Sequence, residues 1–146
     1  VRLWSDRGKK VAELAGHEGY IFSLLFHPGG KGLFSGGQRG VVREWKLPSG
    51  KEVRQLDLTV LHTRLENFLA HVGGVRSLAV DETGKLLACG GMTNAKSNAF
   101  CPGNPAVLVF DFANGKQTGL LRMKKVLLML CNLHYLLHQL VYHQLL

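Results

Sequence analysis

His17 and Ser35 are the residues of this chain that most resemble catalytic machinery. A serine hydroxyl hydrogen-bonded to a histidine can act as a nucleophile, but a working triad also needs a carboxylate that orients the imidazole. The sequence offers no carboxylate pair of the kind that catalysis would use. We therefore predict a structural role for these two residues and expect the protein not to be an enzyme.

Four histidines are candidate metal ligands, but they fall in predicted turns without close pairing: His17, His27, His62 and His71. None has a second ligand at a spacing typical of metal sites. His134 and His138 are four positions apart and share one face of a predicted helix, yet they lack a nearby carboxylate or third ligand. We predict that the protein binds no metal and needs no cofactor.

The cysteines and paired glycines also favour structural interpretations. The three cysteines, Cys89, Cys101 and Cys131, form no close pair, and an odd number of them favours a reducing, cytoplasmic compartment. The pairs Gly36-Gly37 and Gly90-Gly91 are not followed by Lys-Ser, Lys-Thr or a predicted helix. They are therefore interpreted as turn glycines that close a strand, not as a phosphate-binding loop.

The composition is that of one soluble globular domain. The chain has 146 residues, of which 46% are apolar and 19% charged, and this balance excludes disorder for most of its length. Eighteen glycines against four prolines indicate many short strands joined by tight turns. The net charge of +8 is spread without a long basic run, and no nucleic-acid motif accompanies it, so we do not expect nucleic acid as a partner.

The chain contains an internal repeat. Three pairs of matching residues lie 54 positions apart: His17 and His71, Ile21 and Val75, Gly36 and Gly90. In addition, Val1-Arg2-Leu3-Trp4 is echoed 41 positions later by Val42-Arg43-Glu44-Trp45. Coinciding offsets of this kind are the signature of a repeat architecture.

Each repeat unit is predicted to form four short strands. In the first unit they cover residues 20–26, 32–36, 41–46 and 52–56. The first strand is apolar on both faces, whereas the last alternates polar and apolar residues. Sheets that change from a buried first strand to a more exposed last strand pack face to face in a radial array.

The ordered set of these motifs resembles the WD-repeat β-propeller family. The residues that carry the resemblance are Gly16-His17, Ser35-Gly36-Gly37, Val42-Arg43-Glu44-Trp45 and the opening Val1-Arg2-Leu3-Trp4. A degenerate second copy has Ala70-His71 and Phe110-Asp111. The segments at 27–30 and 114–116 resemble long bacterial arrays of this family, so we expect a bacterial-type array.

The resemblance implies an all-β fold, a partial propeller of about two and a half four-stranded blades, followed by an apolar tail that we expect to be helical. The expected divisions are 1–15, the last strands of a preceding blade; 16–58, a WD-repeat blade; 59–123, a degenerate blade with insertions; and 124–146, the tail. Because propellers typically have four to eight blades, we expect either a fragment or assembly from several chains. Exposed inner faces are expected at Ile21, Leu25, Val75, Leu78 and Val107.

Within the family, His17, Ser35 and Trp45 would form a buried hydrogen-bond relay, in which the indole N–H contacts the serine and the serine contacts the histidine. The family's aspartate position falls on Arg39. A guanidinium cannot accept the histidine proton, so we expect Arg39 to point outward. In the second blade the relay positions hold His71, Cys89, Asn104 and Phe110.

Two insertions, 59–67 and 92–105, would lie on the face that binds partners in this family. We predict that a protein or peptide contacts Tyr20, Gln38, Arg39, Asn94, Lys96 and Phe100. The predicted function is a non-catalytic protein-interaction scaffold. The alternatives are a regulatory or sensor part of a larger multidomain enzyme and a membrane-anchored propeller fragment.

The tail, residues 126–146, has no charge, glycine or proline. Its length matches the roughly 20 residues that cross a bilayer, but Asn132, His134 and His138 near its centre oppose insertion. Three interpretations stay open: a membrane anchor, a helix packed on the propeller edge, and sequence foreign to the propeller that results from an altered reading frame or gene end.

Overall fold

The computed structural model describes residues 1–97 and 103–122. The regular structure of these residues consists of antiparallel strands and two short 3-10 turns, arranged in two four-stranded and two two-stranded sheets. The predicted all-β class is therefore confirmed. No helix of the described residues has the length and apolarity to cross a membrane. Phe100 and the tail lie outside the described residues.

The first two strands form a hairpin that covers part of the first blade. They are β1 (Arg2–Trp4) and β2 (Lys10–Glu13). Leu14, which follows β2, is buried against Leu33 and Trp45. The hairpin thus covers the part of the first blade that contains Leu33 and Trp45.

The first blade is a four-stranded antiparallel sheet in sequence order, as predicted. Its strands are β3 (Ile21–Phe26), β4 (Gly32–Gly37), β5 (Val41–Lys46) and β6 (Lys51–Asp57). Every residue of β4 is buried, because the strand has neighbours on both sides in the sheet and packed layers on both faces. Residues of β6 are mostly exposed or half-buried, as its alternating sequence predicts.

The predicted insertion after the first blade is itself a small hairpin. It contains the 3-10 turn Thr59–Leu61, then β7 (His62–Leu65), the 3-10 turn Glu66–Phe68 and β8 (Ala70–Gly73). We call residues 62–73 the inserted hairpin. It extends past the predicted limit of 67 and includes His71, which the repeat alignment had assigned to the second blade.

The second blade repeats the same four-stranded order. Its strands are β9 (Val75–Val80), β10 (Leu86–Thr93), β11 (Asn104–Asp111) and β12 (Gln117–Arg122). The pairs Met92 with Pro105 and Thr93 with Asn104 continue the β10–β11 ladder. The second insertion is therefore shorter than predicted, because both of its ends belong to the sheet.

The main core lies between the two blades. Phe34 and Val42 of the first blade are buried in one cluster with Leu87 and Leu108 of the second. Ser23 Oγ donates a hydrogen bond of 3.1 Å to the carbonyl of Val75, which adds a polar contact between the innermost strands. The blades thus stack face to face, as the radial arrangement requires.

The expected exposed inner faces are wrong for several residues. Val75 and Val107 are 0% and 2% exposed, and Leu25 and Leu78 pack on the core between the blades. Ile21 is half-buried. The exposed apolar side chains of the innermost strand are instead Leu24 and Phe26, at 53% and 59%. Leu24 and Phe26 lie on the same face of the first blade as Leu33 and Trp45, which the β1–β2 hairpin covers.

Candidate functional site

The structure brings His17, Ser35 and Trp45 together. Trp45 Nε1 donates a hydrogen bond of 2.7 Å to Ser35 Oγ, and His17 Nε2 lies 2.7 Å from the same oxygen. Burial and the neighbouring Arg43 lower the pKa of His17, which favours the neutral imidazole. Ser35 is 0% exposed, so a substrate cannot reach its hydroxyl. This arrangement satisfies a buried indole and does not build a nucleophile.

The described residues of the second blade form no equivalent relay. Cys89 is fully buried in the core between the blades, opposite Leu78 and Leu108 in the sheet register, and burial raises the pKa of its thiol. Phe110 occupies the tryptophan position and has no N–H that needs an acceptor. His71 lies in the inserted hairpin, where it contacts the first blade.

Arg39 does not point outward, and that expectation is wrong. It is half-buried, with Nη1 2.6 Å from Nδ1 and 2.7 Å from Nε2 of His71. His62 Nε2 lies 2.8 Å from His71 Nδ1, and the two imidazole rings stack with centroids 5.0 Å apart and planes inclined by 16°. The hairpin covers Arg39 because the insertion folds back on the β4–β5 turn. We call these three residues the histidine cluster.

Gln38 also contacts the hairpin. Its side chain is buried, and Nε2 donates a hydrogen bond of 2.6 Å to the carbonyl of His71. The backbone N–H of Gln38 donates to the carbonyl of Tyr20 at 2.8 Å. Gln38 therefore joins the start of β3 to the hairpin, while the Tyr20 side chain is 72% exposed.

Asn94 and Lys96 are exposed on either side of a buried residue, Ala95. Ala95 packs with Val72 of the hairpin and Met92 of β10. The two insertions, predicted to share a face, are thus in direct contact. The predicted residue Phe100 lies outside the described residues, so its role stays a prediction.

Sequence analysis did not identify the tip of the hairpin. Phe68 and Leu69 are 79% and 74% exposed, the highest values among the large apolar residues that the structure describes. Leu69 has a φ of 47°, in the left-handed region that leucine disfavours. The available signal was an adjacent apolar pair, Phe68-Leu69, directly after the predicted insertion 59–67.

No group of three or more potential metal ligands occurs among residues 1–97 and 103–122. Within the histidine cluster, two imidazoles come together, but the third member is a guanidinium, which repels a cation.

Stacked four-stranded antiparallel sheets, each in sequence order from an inner to an outer strand, define a β-propeller arrangement. The fold comparison agrees. The chain is similar to "Structure of U3-55K" with a TM-score of 0.52 and 20% identity, over 74% of this chain and 28% of that one. It is also similar to "Crystal structure of RRP9 WD40 repeats" with a TM-score of 0.51 and 19% identity, over 74% and 27%.

The family comparison is more specific. The family described as WD domain, G-beta repeat matches residues 8–46 and 62–94. With the fold and the Trp45 contacts, this match identifies residues 8–46 and 62–94 as WD repeats. The second matched segment begins at the inserted hairpin, which shows that sequence similarity alone does not separate the insertion from the blade.

Fungal nuclear distribution proteins are among the relatives of this chain. The chain is 45% identical over 58 residues to nuclear distribution protein PAC1-1 of Uncinocarpus reesii, covering 39% of this chain and 13% of that protein. It is 42% identical over 50 residues to nuclear distribution protein nudF of Aspergillus niger, covering 34% and 11%. The matches thus span a small part of each relative. The expectation of a bacterial-type array is not supported.

Proposed function

We propose that this chain is a non-catalytic scaffold that binds a protein or peptide through the inserted hairpin and the loops beside it. The interaction surface consists of Tyr20, Phe68, Leu69, Asn94 and Lys96. The observation that carries the proposal is the exposure of Phe68 and Leu69, at 79% and 74%, at the tip of an anchored hairpin. Exposed apolar residues with polar neighbours are typical of protein-binding sites.

The anchorage of the hairpin supports this role. Gln38 and Arg39 hold one side through His71, and the packing of Val72 on Met92 and Ala95 holds the other. A tip fixed in this way loses little conformational freedom on binding, and this reduces the entropic cost of association. Gln38 and Arg39, predicted as direct contacts, therefore serve by positioning the surface.

The chemistry of the tip defines the partner. Phe68 and Leu69 require an apolar depression, and the same hairpin carries the exposed ion pair of Arg64 with Glu66, at 3.2 Å. Exposed pairs of this kind contribute little to stability, so both charges are available to a partner. A peptide with apolar side chains flanked by charged or polar residues fits this surface best.

Peptide selection tests the proposal. A random displayed-peptide library is selected on the immobilised full chain, and the affinities of the selected peptides are then measured. We expect Phe68→Ser with Leu69→Ser to weaken binding at least tenfold, because the apolar anchors are lost. The matched control, Val53→Ser with Val60→Ser, changes two other exposed apolar residues and keeps the affinity. Equal affinities for all three proteins would contradict the proposal.

A non-catalytic role is supported by the inaccessible Ser35 hydroxyl and by the structural use of His17. The role of these relatives in nuclear distribution is not proposed for this chain, because the matched segments cover 13% and 11% of those proteins. We also propose a reducing, cytoplasmic location, supported by the buried free thiol of Cys89. Fractionation of cells that express the full chain tests the location.

A further inference from the structure

The contact between the inserted hairpin and the first blade contains two titratable imidazoles next to a fixed cation. His71 lies between the guanidinium of Arg39 and the ring of His62, with the 2.6 Å and 2.8 Å contacts given above. Arg39 belongs to the β4–β5 turn and both histidines belong to the hairpin. The contact therefore joins two elements that are separate in the sheet topology.

The hydrogen bond from Arg39 requires a neutral His71, whereas the contact of His62 with His71 requires one proton between the two facing nitrogens. A guanidinium can only donate, and a neutral imidazole has a single acceptor nitrogen. Whichever nitrogen of His71 accepts, the other carries the proton. A second proton on the ring removes the acceptor and places a positive charge against Arg39.

The surrounding charges oppose protonation more than they favour it. Burial, then His71 and then Arg39 lower the pKa of His62. Burial, then Arg39 and Arg64, lower the pKa of His71, while Glu66 raises it. Among the described residues, Glu66 is the one carboxylate that acts on these imidazoles, against the guanidinium groups of Arg39 and Arg64, so protonation of both imidazoles would be repulsive.

We propose that the histidine cluster is a proton-sensitive contact, which seats the inserted hairpin on the first blade when both imidazoles are neutral and releases it when they are protonated. Release would loosen the support of Phe68 and Leu69. The consequence for binding rests on the proposed function, but the seating of the hairpin does not.

The sign and size of the effect follow from proton linkage. In the detached hairpin each histidine regains a pKa near its ordinary value of about 6.5, whereas in the seated hairpin the pKa is lower. The detached state therefore binds more protons on acidification, and seating weakens as the pH falls below about 6.5. Between pH 7.5 and 5.5 each histidine shifts the equilibrium toward release by up to about tenfold.

Amide hydrogen exchange of the full chain tests the proposal without any partner. Protection factors, corrected for intrinsic exchange, are measured at pH 7.5 and 5.5 for residues 62–73 and for the reference strands β4 and β5. We expect protection of the hairpin relative to the reference to fall about tenfold at pH 5.5. Comparison with the reference removes global effects, including those of His17 and His27, which also have lowered pKa values.

Four variants make the result specific. His71→Gln and His62→Gln, the second of which keeps the contact of Arg39 with His71, are each expected to reduce the pH dependence, and the double variant is expected to abolish it. The control His27→Gln removes a histidine that contacts Glu44, Phe34 and Phe112 instead, and should retain the full dependence. The proposal would be overturned if the protection of the hairpin relative to β4 and β5 were the same at pH 7.5 and 5.5 in the unsubstituted protein. It would also be overturned if this relative protection still fell tenfold in the double variant His62→Gln/His71→Gln.

Discussion

Among single residues, Ser35 shows most clearly how this sequence supplies a hydrogen-bond acceptor for a buried donor. The Trp45 indole is 2% exposed, and a buried N–H without an acceptor is costly. Ser35 supplies the acceptor from the adjacent strand and is itself contacted by His17. The second blade avoids the problem, since Phe110 carries no donor and Cys89 is a small buried apolar residue.

A double-mutant cycle tests this explanation. Ser35→Ala should lower the free energy of unfolding by about 1–3 kcal/mol, because it leaves the indole N–H unpaired. In a Trp45→Phe background, which has no N–H, the same change should cost clearly less. Urea denaturation of the four proteins gives the coupling energy. Equal costs in both backgrounds would show that the Trp45 contact does not matter.

A second residue-scale prediction concerns Gly74, where the blades approach each other closely. A Cβ there would lie 2.6 Å from Gln38 Cα, and φ is +93°. Gly74→Ala should therefore destabilise by at least about 2 kcal/mol through strain and collision together. Gly29→Ala is the matched control, because its φ of +82° is similar but nothing lies within 4 Å. Thermal unfolding that ranks the control as the more damaging change would refute the close approach.

At the scale of elements, the inserted hairpin departs most from a simple repeat. Its strands pair over four residues each, so its own ladder is short. A two-stranded hairpin of this kind is marginal alone and depends on packing against other elements. Here the support comes from Gln38, Arg39 and the cluster of Val72, Met92 and Ala95.

The backbone of Leu69 offers a test at this scale. Its φ of 47° costs a non-glycine residue about 1–2 kcal/mol, and its side chain is too exposed to recover that energy by burial. Leu69→Gly should therefore raise the stability of the hairpin while weakening peptide binding. Phe68→Gly, at a neighbouring exposed position without a positive φ, should weaken binding with no gain in stability. Hydrogen-exchange protection of residues 62–73 measures the first effect, and a fall in that protection for Leu69→Gly would contradict the argument.

The strands of the first blade were predictable because their apolar runs end at clear turn signals. The predicted ranges 41–46 and 32–36 agree with β5 and β4 to within one residue. The hairpin was not predictable in the same way. His71 lies 54 positions after His17, and this repeat spacing predicts a place in the second blade. The 54 positions also contain the insertion, and in the structure His71 belongs to its hairpin. Arg39 contacts His71 because the inserted hairpin folds back on the β4–β5 turn. The spacing of apolar and turn residues along the chain does not specify that position of the hairpin.

For the whole molecule, coverage of the blade faces is uneven. The core between the blades is closed by Phe34, Val42, Leu87 and Leu108. On the opposite face of the first blade, the β1–β2 hairpin covers Leu33 and Trp45 but leaves Leu24 and Phe26 exposed. Both residues lie on β3, an edge strand of its sheet, and exposed apolar residues on an edge strand favour association.

We therefore expect the full chain to self-associate through this face. Leu24→Lys with Phe26→Lys should shift the sedimentation of the full chain toward smaller species, because charges oppose apolar contact between copies. Val53→Lys, an equally exposed position on the outer strand β6, is the control and should leave sedimentation unchanged. Identical sedimentation of all variants would show that Leu24 and Phe26 take no part in association.

The most direct test of the central claim, that the inserted hairpin presents the partner-binding surface, is chemical-shift mapping. Backbone amide resonances of the isotope-labelled full chain are followed during titration with a peptide selected as described above. We predict that the largest shifts cluster at residues 65–70, Tyr20, Asn94 and Lys96. Shifts confined to the outer strands β6 and β12, with the hairpin unchanged, would contradict the account.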